Sequence, residues 1–175
     1  MKNYCDKNNI THINIAWDEK DKIYGDKWLT TMMDAKVTLA TPSGLNIFYY
    51  DDKKIIECNK RQTNPNYTYE MAKSDFNLED EDFEMGQIAP KMFEAIMCGT
   101  VLVMYPGTYS NILKKDIHYI ELQPDFSNIK DVMEKIKDDK YLQDMSNRAY
   151  KDIVESGKYS YKTFIRKVEG WLNEL

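Results

Sequence analysis

Hydrophobic positions along this chain recur with two spacings, and the spacing changes where turn residues fall. Near the start, Ile13, Ile15 and Trp17 alternate with polar neighbours, which predicts a strand over 10–17. Charged residues follow, and then Trp28, Leu29, Met32 and Met33 fall on one side of a helix expected within 18–36. A short strand is expected over 37–41, with Pro42-Ser43-Gly44 as a turn. Residues 45–50 and 53–58 suggest a hairpin across Asp51-Asp52. Across 59–86 no period persists, so this stretch reads as a long irregular excursion with a helix near 69–73.

Beyond residue 87 the pattern sharpens. A helix is predicted over 90–98, a fully apolar strand over 100–105 and a further short strand over 118–122. Ser127 is placed to cap a helix whose Ile129, Val132, Met133 and Ile136 follow at helical spacing. Residues 141–156 form another helix, stopped by Gly157. Tyr161, Phe164, Ile165, Val168, Trp171 and Leu172 make the strongest amphipathic stripe in the chain, read as a packing face. Strands alternating with helices predict an α/β fold, a Rossmann-like parallel sheet flanked by helices, which binds ligands beyond the carboxyl ends of its strands. Residues 1–175 are expected to form one domain, with C-terminal helices over 127–175.

Charge and cysteine usage narrow the function classes. The net charge is −5 and the basic residues are spread out, which argues against a nucleic-acid footprint. The 3 cysteines, Cys5, Cys58 and Cys98, fit neither a disulfide framework nor a zinc pattern, which points to a reducing, cytoplasmic setting, the inner face of the membrane included. No apolar run is long enough for a transmembrane segment, and the polar start lacks a signal peptide's apolar core. The acidic run over 79–84 lacks the ordered spacing of a calcium loop and reads as a solvated loop; no metal is expected. His12 and His118 have no metal or catalytic partner in view and read as structural, as does Cys98.

The chemistry concentrates in PKMFEAIMCGTVLVMYPG, residues 90–107. Glu94 stands at the edge of the apolar arc of Met92, Phe93, Ile96 and Met97, with Lys91 three residues before it on the same side. One reading makes Lys91 and Glu94 a surface pair worth a few tenths of a kcal/mol. The other places Glu94 in a sheet-end crevice, its carboxylate accepting hydrogen bonds from the vicinal hydroxyls of a ribose. Lys91, in the first turn of the helix, would then face a phosphate.

APKMFEAIMCGTVLVMYPGTYSNIL, residues 89–113, resembles the C-terminal half of GT-B glycosyltransferases of the group 1 type. That family carries a P-(R/K)-x-F-E-A-x-x-x-G-T helix followed by a strand and a glycine turn. The resemblance continues through HYIELQPDFSNIKDVMEKIKDD and RAYKDIVESGKYSYKTFI, and reaches back more weakly to AKVTLATPSGLNIFYYDD. It implies a domain that binds a nucleoside diphosphate sugar as donor substrate, with no cofactor. By the same resemblance Glu94 would hold the ribose and Lys91 would face the diphosphate. Gly107, Thr108, Tyr109 and Ser110 match the turn whose backbone amides line the phosphates or the sugar, and Ser43 and Gly44 match an earlier loop at the same sheet edge. The implied activity is sugar transfer to an acceptor, of the hexosyltransferase type, in surface glycan or glycoconjugate synthesis. Where many members carry a second glutamate, eight residues before the first, this chain has Gly86.

The acceptor-binding domain of such enzymes is expected on the native chain or on a partner subunit, and this half alone is expected to be inactive. Two rivals stand beside this reading. One is a non-catalytic nucleotide-binding module of the same fold. The other is a Rossmann-like or flavodoxin-like domain with an unrelated ligand, although the lack of G-x-G-x-x-G argues against a dinucleotide cofactor.

Overall fold

Three parallel strands form the centre of the computed structural model, which describes residues 2–11, 21–42, 53–76 and 86–174. They are β1 (Val37–Ala40), β2 (Val101–Met104) and β3 (Tyr119–Glu121), side by side in that order. Val37 pairs with Val101, and Leu102 with Tyr119. Helices flank the sheet, so the fold is the expected Rossmann-like α/β arrangement.

The middle strand is buried on both faces, and its side chains divide the core in two. Leu102 and Met104 face Met92, Ala95 and Ile96 of α5 (Pro90–Met97) and Met32 of α2 (Asp26–Asp34). Val101 and Val103 face the other way, toward Val132 of α6 (Ile129–Lys137) and Leu142 and Met145 of α7 (Asp139–Ala149). A π-helical segment, Tyr150–Glu155, continues α7 and brings Ile153 into the first cluster. Helix α7 and its π turn thus join the two sides of the core.

Helix α5 ends as its sequence dictates. Gly99 takes the left-handed conformation, with φ of 78°. Its amide donates to the Ile96 carbonyl and the Thr100 amide donates to Ala95, the paired bonds of a Schellman stop. The Thr100 hydroxyl then donates to the Met32 carbonyl and fastens α2 to this corner.

Several expectations are corrected. Residues 53–58 are no hairpin arm: α3 (Lys53–Gln62) is a helix, with an i,i+4 pair between Glu57 and Arg61. A short apolar run is ambiguous between strand and helix, and the lysine, glutamate, arginine and glutamine around it favour helix. The expected irregular excursion over 59–86 is helical in two parts, because α3 is followed by α4 (Tyr69–Phe76). Arg61 joins these helices by an ion pair with Asp75 and by lying over the Phe76 ring.

The cap of α6 is Asn128 rather than Ser127. The Asn128 side chain accepts from the Gln123 amide and donates to the Glu121 carbonyl, tying the end of β3 to the helix start. A short helix not foreseen from the polar start, α1 (Lys2–Lys7), buries Cys5. Finally, α8 (Tyr161–Asn173) buries none of its residues, so its apolar stripe is not a packing face among the described residues. The proposed strand from His12 on, the hairpin's first arm and the acidic run over 79–84 lie outside the described residues.

Candidate functional site

The first turn of α5 lies at the carboxyl edge of the sheet, because α5 runs antiparallel to the strand it feeds. There a recess of about 290 Å³ opens between Leu39, Ala40, Thr41 and Pro42 on one side and Ala89, Lys91 and Met92 on the other. Pro90 occupies the first helical position, where its missing N–H costs nothing. The helix therefore presents amide donors and the positive end of its dipole toward this edge.

Lys91 and Glu94 turn away from each other. The Lys91 ammonium donates to the Leu39 carbonyl at 2.7 Å. That bond uses one of three donors and holds the cation against the end of β1. Burial pushes the Lys91 ammonium below the ordinary lysine range. One turn further along α5, a Glu94 oxygen, Oε2, accepts a 2.8 Å hydrogen bond from the Trp28 indole of α2. The simple surface pair is therefore absent: each charge has a partner on a different element.

The turn after β2 abuts the same edge. A Cβ on Gly107 would lie 3.0 Å from Pro42 Cγ and 3.1 Å from the Tyr109 ring, so only glycine leaves this approach undisturbed. Tyr109 itself is fully buried. Its hydroxyl donates to the Tyr105 carbonyl and its ring meets Tyr119 edge-on. Burial raises the phenol well above the ordinary tyrosine range. Tyr109, Ser110 and Asn111 are all left-handed, with φ of 45°, 55° and 57°. Each such residue costs about 1–2 kcal/mol, so the surroundings must hold the turn in place.

They do so through residues 86–88. The Ser110 amide donates to the Gly86 carbonyl, and the Ser110 hydroxyl accepts from the Ile88 amide. The Thr108 hydroxyl donates to the Gly86 carbonyl at 3.3 Å. The Ser110 amide is thus committed to the fold rather than open to a phosphate, and the Tyr109 side chain belongs to the core.

Among the residues singled out by sequence, the structure brings Lys91 and Gly107 to one edge around Pro42, and Glu94 one helical turn away. Ser43 and Gly44 follow Pro42 directly and lie outside the described residues. Trp28 was read only as part of an apolar face. The signal for more was that a half-buried indole N–H ordinarily requires an acceptor.

Elsewhere, His118 is structural. Its Nδ1 accepts from the Lys114 amide and its Nε2 faces Asp152 of the π segment at 3.1 Å. A concavity of about 470 Å³ at the other end of α5 includes Cys98 and Ser146, whose hydroxyl donates to the Gly99 carbonyl. Among the described residues, no three His, Cys, Asp or Glu side chains converge to hold a metal ion, and no helix is long and apolar enough to cross a membrane. Comparison with protein-family models, with curated proteins and with solved structures finds no significant match.

Proposed function

We propose that this chain is the nucleotide-sugar-binding half of a GT-B type glycosyltransferase, moving a sugar from a nucleoside diphosphate sugar to an acceptor. The observation that carries the reading is the placement of Lys91. A partly desolvated cation sits in the first turn of a helix, against the carboxyl end of a parallel strand, beside an open recess. Fixed donors aimed at a departing diphosphate are the main requirement for such transfer, since the negative charge grows there in the transition state. Lys91 supplies charge and the α5 end supplies amides. Glu94, acceptor-only when ionised, suits a ligand that brings hydroxyl donors. The acceptor-binding part would come from elsewhere on the native chain or from a partner subunit.

One observation favours the second reading, a nucleotide-binding module without catalysis. A Cβ at Gly86 would fall 2.0 Å from Thr108 Oγ1, so the glutamate that many group 1 enzymes carry there would collide unless Thr108 moved. Calorimetric titration with UDP, GDP, ADP and CMP, repeated on Glu94→Ala, tests the shared part of both readings. Binding of one nucleotide that the substitution abolishes is the expected result. Binding indifferent to Glu94 would remove the assigned site.

A further inference from the structure

We infer that Trp28 is a positioning residue for Glu94, fixing one carboxylate oxygen so that the other is presented to a ligand hydroxyl. The inference rests on the reading of Glu94 as a ribose-binding group, and deepens it by naming what sets its selectivity for a ribose over a deoxyribose.

An indole has one polar hydrogen and no acceptor. At 2.8 Å from Oε2 the Trp28 N–H makes a charge-assisted bond that leaves the carboxylate ionised and its other oxygen available. A lysine at the same place would neutralise the charge, and a hydroxyl would compete for the ligand's acceptors. The donor is itself held from two directions. The Trp28 ring packs against the core cluster that contains Met32, Met92 and Ala95. Its helix is fastened through the bond from the Thr100 hydroxyl to the Met32 carbonyl. A glutamate on a helix otherwise explores several rotamers, and ordering it at the moment of binding weakens the complex. In this molecule that ordering is complete before any ligand arrives.

Two measurements test this. The first needs no ligand: the indole N–H resonance of Trp28 is assigned in a nitrogen–proton correlation spectrum by its loss in Trp28→Phe, and then followed in Glu94→Gln. A clear upfield move is expected, and an unmoved resonance would overturn the proposal. The second compares the affinities of UDP, GDP and ADP with those of their 2′-deoxy counterparts, in the native chain, Glu94→Gln and Trp28→Phe.

The expected result is a preference for the ribonucleotide that Glu94→Gln removes and that Trp28→Phe lowers about 3- to 10-fold, the size of a partial charge-assisted bond, with deoxynucleotide affinity unchanged. A purely structural Trp28 would lower both affinities together and leave their ratio intact. That outcome overturns the proposal while the ribose role of Glu94 stands. If the native chain shows no ribose preference, or Glu94→Gln leaves it unaltered, the ribose reading falls and the Trp28 proposal falls with it.

Discussion

At the scale of single residues, Lys91 and Tyr109 show how burial sets chemistry. The Lys91 ammonium is depressed by desolvation, so the unfolded chain binds more protons than the folded one between the folded value and the ordinary lysine range. Stability conferred by this residue therefore rises with pH through that alkaline window, as the buried charge is discharged. Diphosphate affinity runs the opposite way: it should fall over the same window and stay flat in Lys91→Arg, which calorimetry at stepped pH would check. For Tyr109, removing the hydroxyl in Tyr109→Phe leaves the Tyr105 carbonyl without its donor and should cost about 1–2 kcal/mol in urea unfolding. The sequence signalled Lys91 and Glu94 as an odd pair on an apolar helix. It could not signal that they part company, because spacing fixes which side of a helix a residue occupies and not which neighbouring element arrives there.

At the scale of elements, periodicity told that a face is buried without telling by what. For α5 the arc of Met92 and Ile96 meets β2, and Met92→Ala should cost roughly 2–5 kcal/mol by cavity formation. For α8 the same kind of stripe stays in solvent: Trp171 is 61% and Leu172 64% exposed. Trp171→Ala and Leu172→Ala should each change stability by no more than about 0.5 kcal/mol, measured side by side with Met92→Ala. A large loss in either would mean that α8 packs on this chain in solution. The turns divide similarly. Gly99 and Gly157 were legible as stops because their left-handed backbones favour glycine. The left-handed run from Tyr109 to Asn111 was not legible, since three residues of ordinary propensity hold it only with help from 86–88, distant in sequence.

At the scale of the whole molecule, the order of strands and helices from residue 87 onward could be read almost directly, because a doubly buried strand between amphipathic helices admits few arrangements. The first half resisted because its helices are joined by charged contacts such as Arg61–Asp75, which leave no periodic trace. A ligand that binds only the folded chain should raise its melting temperature, by the equivalent of about 2.7 kcal/mol at a hundred times its dissociation constant. Scanning the native chain and Glu94→Ala with the nucleotide identified by calorimetry would show a shift in the first alone.

The π turn after α7 has a consequence for insertions and deletions. Its wider winding absorbs an extra residue, so Asp152 and Ile153 point where a regular α-helix would not carry them. Deleting one residue between Tyr150 and Glu155 would restore the ordinary winding and rotate everything after it by roughly 100°. Asp152 would swing away from His118 and Ile153 out of the first core cluster. The segment acts as a phase adjuster, and in it the length of the chain counts for more than the identity of its exposed side chains.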